Sequence, residues 1–190
     1  MGDCLLGDFK MKLNLILDSR RVEKYEPLIK ELAAQNITDY EIWPCVIMND
    51  VPQSINASHK MIVRDAKEKG LPEVCLAEDD VFFPAADGWQ HFLRNKPSPE
   101  DYDIYVAATY CIPISNNILC GFHLYCVSAK FYNAFLSIPD KEHIDTAAND
   151  LKGVWKFCYP FAALQRPGFS ANNMSIVNYN AIFQPEDIYS

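Results

Sequence analysis

The sequence has few basic residues for its length. Lys and Arg number 17 among 190 residues, against 25 Asp and Glu, so the formal net charge is −8 at pH 7. The basic residues are scattered, whereas binding to a nucleic acid backbone relies on clustered Lys and Arg. The charge balance therefore argues against a nucleic acid partner. A small anionic ligand is not excluded, because a bound metal ion can supply positive charge locally.

Long apolar segments are absent as well. Leu5 and Leu6 lie near the N-terminus, but no charged segment followed by a long apolar one is present, so we expect neither a signal peptide nor a membrane span. The seven cysteines form an odd set without a C-x-x-C pair and lie mostly in apolar runs. We expect them to be free, buried thiols, which favours the reducing cytoplasm as the location.

Repeats, low-complexity tracts and linker-like segments are also missing. A chain of 190 residues that is 49% hydrophobic and 22% charged is typical of one globular domain with a sizeable core. We therefore expect a single domain over residues 1–190. Apolar runs alternate with amphipathic segments, which predicts an α/β fold: a three-layer α/β/α sandwich with a mostly parallel central sheet.

The first elements form a predicted βαβ unit. Residues 12–17 predict a strand, a helix begins after Asp18, and residues 40–48 predict the next strand. After an irregular stretch, Ser58 is expected to cap a helix that ends before Gly70. Further strands are predicted at 74–77, 104–108, 119–127 and 154–158, and further helices after Asp87, Ser128 and Asp145, before a loop-rich tail from Pro160.

Three consecutive acids follow the apolar strand 74–77: Glu78, Asp79 and Asp80. Ligands of such sheets gather at the carboxyl ends of the strands. Neighbouring carboxylates repel one another, and a hard divalent cation such as Mg²⁺ or Mn²⁺ relieves that cost, with diphosphate and water oxygens completing its shell. The pattern indicates a metal site, and a solvated loop or turn cap is the alternative.

The segment from Asn56-Ala57-Ser58-His59 through the strand ending in Glu78-Asp79-Asp80-Val81 resembles the central motif of glycosyltransferase family 25. That family includes galactosyltransferases of lipooligosaccharide or lipopolysaccharide biosynthesis and of collagen modification. Other segments that resemble the family, in the same order, are Leu13-Asn14-Leu15 with Asp18 and Arg20-Arg21, Gly121 to Ser128, Ile144-Asp145, and Pro160 with Gln165, Gly168 and Ser170.

The resemblance implies a GT-A fold, a UDP-sugar donor that is commonly UDP-galactose, an Mn²⁺-type cofactor or Mg²⁺, and a glycan-type acceptor. It implies transfer with inversion, as in the bacterial members. Asp80 is our candidate for the direct metal ligand. Glu78 and Asp79 are expected to reach the ribose or the metal, and the donor-binding residues would further include Asp18, Arg20, Arg21, Ser58 and His59.

Inversion requires a general base that takes the proton of the attacking acceptor hydroxyl. Asp145 is the candidate, at the expected start of a helix over 146–151, and Asp150 is held in reserve; a plain helix cap is the alternative for Asp145. For Ser58 and His59 the alternatives are a cap and a structural histidine, or a donor site at the helix start where His59 binds the donor or orients a carboxylate.

The resemblance has two departures. The Gly-Cys pair that usually precedes the Ser-His helix is absent, and the segment between Asp80 and Gly121, which normally helps to form the acceptor side, is short. A metal-dependent phosphohydrolase or nucleotidyltransferase also uses acids at a strand end, although the sequence has no glycine-rich phosphate loop. A catalytically silent nucleotide-sugar-binding module is the third interpretation. The sequence does not indicate the oligomeric state.

Overall fold

Strands and short helices alternate along the chain. The computed structural model describes residues 11–110, 118–170 and 173–190. In chain order the strands are β1 (Leu13–Leu17), β2 (Tyr40–Pro44), β3 (Glu73–Glu78), β4 (Val81–Phe82), β5 (Ile104–Val106), β6 (Leu124–Ser128), β7 (Trp155–Phe157), β8 (Leu164–Gln165), β9 (Gly168–Ser170) and β10 (Ser175–Val177). The α-helices are α1 (Tyr25–Ala34), α2 (Val51–Glu68), α3 (Gly88–Asn95), α4 (Tyr132–Leu136) and α5 (Ile144–Ala147).

Six of these strands form the central sheet, in the order β2-β1-β3-β6-β5-β7. Strand β6 runs antiparallel to both neighbours, and the other pairs are parallel. The mostly parallel sheet of the predicted α/β fold is therefore confirmed. The parallel pairing of β1 with β2 across α1 likewise confirms the expected βαβ start.

Side chains of the central strand β3 point alternately to the two faces of the sheet, as the two-residue period of a strand requires. Cys75 and Ala77 join a core formed with α1 and α3, whereas Val74 and Leu76 join a core formed with α2 and α4. All four side chains are buried, because helices cover both faces. The molecule thus has the three layers expected from the sequence.

The predicted start of the second helix is wrong. Helix α2 begins at Val51, with Pro52 in its first turn, where a missing N–H does no harm because it would have no partner in the helix. Ser58 lies in the interior of that helix and does not cap it. Its hydroxyl accepts a hydrogen bond from the N–H of Val46 at 2.8 Å and donates to the carbonyl of Ser54 at 2.6 Å. Ser58 therefore ties the loop after β2 to α2.

The described part of the tail after Pro160, which was predicted to be loop-rich, contains three short strands. One of them, β8, pairs antiparallel with β4, the strand that directly follows the acidic cluster, with Val81 opposite Gln165. The other two, β9 and β10, pair with each other. The tail thereby returns to the carboxyl end of β3, and its side chains become part of the site described below.

None of the described cysteines forms a disulfide: Cys75, Cys126 and Cys158 are buried, and Cys45 and Cys120 are partly exposed. Cys4 and Cys111 lie outside the described residues. Within the described ranges, no helix is both long enough and apolar enough to span a bilayer.

Candidate functional site

A cavity of about 250 Å³ lies at the edge of the sheet where β3 ends. Strand β6 is antiparallel, so its N-terminal end reaches the same edge as the carboxyl ends of β1, β3 and β5. The lining residues come from these strand ends, the first turns of α2 and α5, and the tail: Arg21, Lys24, Val51, Pro52, Ile55, Glu78, Asp80, Tyr110, Cys120, Gly121, Phe122, His143, Ile144, Asp145, Gln165, Arg166, Gly168, Phe169, Ser170, Val177 and Tyr179.

Asp80 is a buried carboxylate on the wall of this cavity, with 7% of its surface exposed. Its Oδ2 accepts a hydrogen bond from the side-chain amide of Gln165 at 3.0 Å, whereas its Oδ1 is buried and has no hydrogen-bond partner among the described residues. Burial and the negative charge of Glu78 raise the pKa of Asp80 to about 7. A bound cation would relieve both effects.

Glu78 also lines the cavity and is held from behind by His59. His59 Nε2 lies 3.1 Å from Glu78 Oε1, and its Nδ1 lies 2.7 Å from the hydroxyl of Tyr125. Burial alone would raise the pKa of Glu78, but the hydrogen bond from His59 and the electrostatic influence of His59, His123 and Arg21 together outweigh it, and the pKa is lowered. His59 is 1% exposed and does not line the cavity, so its contact is with the carboxylate.

Asp79 does not line the cavity. Its Oδ2 lies 3.4 Å from the backbone N of Asp18, and its Oδ1 lies 3.5 Å from Nη1 of Arg21. Burial raises the pKa of Asp79, and the charge of Arg21 opposes that shift. Arg21 lines the cavity, whereas Arg20 is exposed and pairs with Asp18, outside the cavity wall. The three acids therefore have three different surroundings.

In the part of the chain that the structure describes, no group of three or more His, Cys, Asp or Glu side chains is arranged to hold a metal ion. The free Oδ1 of Asp80 nevertheless fits a divalent cation, because carboxylate oxygen is a preferred ligand of Mg²⁺ and Mn²⁺. Such a cation would need most of its remaining oxygens from a bound ligand and from water. The residues fit a cation shared with a phosphate ligand, and they do not form a closed structural metal site.

Asp145 lies in the first turn of α5 and lines the same cavity. The helix begins at Ile144 with His143 at the N-cap, so Asp145 is not the cap residue. Its Oδ2 accepts from the N–H of Gly121 and its Oδ1 from the N–H of Thr146, both at 2.8 Å. Asp150, the reserve candidate, is exposed and is not part of the cavity wall.

The segment that leads into α5 is fastened to α2. The side-chain amide of Asn56, which is fully buried, donates to the carbonyls of Pro139 and Glu142, both at 3.0 Å. Lys60, one turn further along α2, donates to the carbonyl of Ile138 and pairs with a carboxylate of the same segment. Helix α2 thus contacts Glu78 directly and also contacts the segment that leads to Asp145.

Gly121 has φ +92°, and an added Cβ would lie 2.6 Å from Cδ2 of Tyr110. We expect Gly121→Ala to lower the free energy of unfolding by about 2–4 kcal/mol, through backbone strain together with overpacking. Gly70→Ala is the matched control, because Gly70 also has positive φ, +65°, but open space around it. It should cost about 1–2 kcal/mol. Urea unfolding of both variants measures the difference; equal losses would contradict the predicted clash.

Several cavity residues were not predicted from the sequence, above all Lys24, Tyr110 and Arg166. Tyr110 accepts a hydrogen bond from the backbone N–H of Gln165 at 2.7 Å, which fastens the tail to the end of β5. The one signal for this part of the site was the family-like tail that contains Gln165. Its position beside Asp80 depends on the pairing of β4 with β8.

Solved structures give an independent comparison of the fold. The chain is similar to a glycosyltransferase involved in the glycosylation of the major capsid of PBCV-1, with a TM-score of 0.54 and 11% identity, over 87% of this chain and 97% of that chain. The fold is glycosyltransferase-like. At this identity the likeness shows the fold alone, and it does not assign the chain to family 25.

Two further similarities have lower scores. A197 from STIV has a TM-score of 0.46 and 17% identity, over 78% of this chain and 81% of that chain. The glycosyltransferase GlyE of Streptococcus pneumoniae TIGR4 has a TM-score of 0.47 and 11% identity, over 78% of this chain and 45% of that chain. The sequence itself matches no protein-family model and no curated protein.

Proposed function

We propose that this protein is a nucleotide-sugar-dependent glycosyltransferase. It transfers a hexose, with galactose favoured, from a UDP-sugar to a hydroxyl group of a glycan-type acceptor. The observation that carries the proposal is the unpartnered, buried Oδ1 of Asp80 in a cavity that also contains the carboxylate of Asp145. The glycosyltransferase-like fold supports the reaction class, and the family 25 resemblance supports the UDP-sugar donor.

In this proposal the carboxyl end of β3 binds the donor. Asp80 would hold a divalent cation, Mn²⁺ or Mg²⁺, through its free oxygen, and such a cation would supply positive charge for the departing diphosphate. Glu78, oriented by His59, accepts a hydrogen bond from the donor ribose. Asp79 keeps Arg21 beside the diphosphate through their close ion pair.

Asp145 acts as the general base. Its two backbone hydrogen bonds orient the carboxylate and leave lone pairs for an acceptor hydroxyl, because each carboxylate oxygen can accept two hydrogen bonds. As the acceptor oxygen attacks the anomeric carbon, its proton passes to Asp145 and the bond from that carbon to UDP breaks. A single displacement of this kind inverts the anomeric configuration.

The test is product analysis with UDP-galactose, Mn²⁺ and a panel of hydroxyl acceptors. We expect UDP and a glycosylated acceptor in equal amounts, and no product in chelator. Released inorganic phosphate would instead indicate a phosphohydrolase. Binding of UDP with Mn²⁺ but no turnover across the panel would indicate a silent binding module, and no binding of any nucleotide diphosphate would refute the donor assignment.

A further inference from the structure

Three positively charged side chains line the cavity of this acidic protein, beside the carboxylates already described. The chain has a formal net charge of −8, yet Arg21, Lys24 and Arg166 all line this one cavity. They come from distant parts of the sequence, the turn after β1 and the tail after β8. Burying a charged side chain costs free energy unless the charge has a partner. The partners of these three side chains therefore indicate whether each one stabilises the fold or is available to a ligand.

Arg21 has a partner within the protein, since its guanidinium lies 3.5 Å from Asp79. Lys24 does not: its ammonium group has no hydrogen bond or ion pair with any residue in the described ranges. The ammonium lies beside the tail, because a Cβ added to Gly168 would be 3.7 Å from Lys24 Nζ. Lys24 therefore lies at the cavity wall without a direct ion pair, although its charge opposes the rise in the pKa of Asp79 and Asp80 at longer range.

Arg166 is paired on one side only. Its Nη2 donates to Glu31, and the guanidinium lies over the ring of Phe82 at 5.9 Å from the ring centroid. Its Nη1 is buried and has no hydrogen-bond partner among the described residues. These contacts fix the planar group and leave one edge with unused donors, an arrangement that suits a phosphate oxygen.

The acidic cluster acts on Lys24 at a distance and not through direct contact. No ion pair joins Lys24 or Arg166 to Glu78, Asp79 or Asp80 within the described chain; the link from Arg166 to the cluster is its backbone N–H, which donates to the carbonyl of Asp80 at 2.7 Å. That bond places the base of the Arg166 side chain next to the proposed cation ligand. The cavity is thus lined by residues that carry polar groups without a hydrogen-bond partner in the described chain. These groups are one oxygen of Asp80 and donors of Lys24 and Arg166.

We propose that Lys24 and Arg166 form a phosphate subsite, next to Asp80, that binds a phosphate group of the donor directly. This inference rests on the proposed function, because it assigns part of the same donor site. Its consequence is that some affinity for the diphosphate persists without metal. The side chains of Lys24 and Arg166 also stabilise the negative charge that develops on the diphosphate as it leaves.

The test compares Lys24→Met and Arg166→Lys with Lys30→Met. Lys30 lies on the exposed face of α1 and pairs with Glu26, so its loss changes the net charge as Lys24→Met does, but away from the cavity. Binding of UDP, uridine and inorganic pyrophosphate is measured in chelator and with Mn²⁺. We expect each cavity variant to weaken UDP and pyrophosphate binding by roughly 10–100-fold, the range for a lost charge-assisted hydrogen bond, and to leave uridine binding unchanged.

The outcomes distinguish failure of the phosphate subsite from failure of the proposed function. Unchanged UDP affinity in Lys24→Met and Arg166→Lys, with Mn²⁺-dependent binding intact in the wild type, would overturn the subsite and leave the glycosyltransferase proposal standing. Failure of UDP to bind the wild type, together with pyrophosphate binding that Lys24→Met abolishes, would support the anion subsite and refute the nucleotide donor. A wild type that binds neither ligand would overturn both. Arg166→Lys retains the charge that pairs with Glu31, and its urea midpoint checks that it folds.

Discussion

Asp145→Asn is expected to lower turnover with UDP-galactose by about 10²–10⁴-fold, the usual contribution of a general base. The variant keeps the shape of the side chain, and its amide oxygen can still accept the hydrogen bond from Gly121. It cannot take a proton from the acceptor. Affinity for UDP with Mn²⁺ should therefore stay nearly constant while the turnover number falls, which steady-state kinetics and equilibrium binding measure separately.

Asp150→Asn is the matched control, because Asp150 belongs to the same short helical segment but is exposed and lies outside the cavity wall. Its turnover should remain close to that of the wild type. Equal turnover in Asp145→Asn and the wild type would remove Asp145 from the role of base. A larger loss in Asp150→Asn than in Asp145→Asn would transfer that role to the reserve candidate.

Asp80→Asn is expected to abolish the stabilisation of the protein by UDP and Mn²⁺. At a ligand concentration of about 100 times Kd, binding to the native state alone adds about 2.7 kcal/mol. For a domain of this size each kcal/mol moves the melting midpoint by roughly 2–4 °C, so the wild type should gain about 5–10 °C. The variant should fold, because it replaces a buried charge that is repelled by Glu78 with a neutral group of similar size.

The comparison is made by thermal unfolding under reversible, two-state conditions. Asp101→Asn is the control, since Asp101 is an exposed carboxylate in the 3₁₀ turn before β5, and it should retain the full shift. A full shift in Asp80→Asn would refute Asp80 as the metal ligand. An equal shift with UDP in chelator would do the same, because the carboxylates repel a diphosphate and its contacts with Lys24 and Arg166 should give weaker binding without a metal ion than with one.

The layers of the fold could be predicted from the sequence because they depend on local patterns. The apolar run around Leu76 is bounded by charges, and it forms the buried central strand β3. The acids that follow this strand lie at the edge of the sheet where the parallel strands have their carboxyl ends, and this position follows from the strand assignment. Gly70 also marked the end of a helix correctly, since it adopts φ +65° just after α2.

Ser58 shows where local patterns fail. Serine is a frequent N-cap, but Pro52 starts the helix earlier, and the Ser58 hydroxyl then bonds to Val46 and Ser54 instead. Lys24 and Arg166 were missed for a different reason. They meet at one cavity through the pairing of β4 with β8, a long-range contact between short strands that neither periodicity nor composition reveals.

Helix α2 supports two separate parts of the candidate site. His59 on this helix holds Glu78, and Asn56, less than one turn away, holds the segment that carries Asp145. Because both contacts come from one helix, a small tilt of α2 would move Glu78 and the segment that carries Asp145 together. Substitutions that reorient α2 should therefore alter donor affinity and turnover jointly, whereas substitutions at Asp145 itself should separate them.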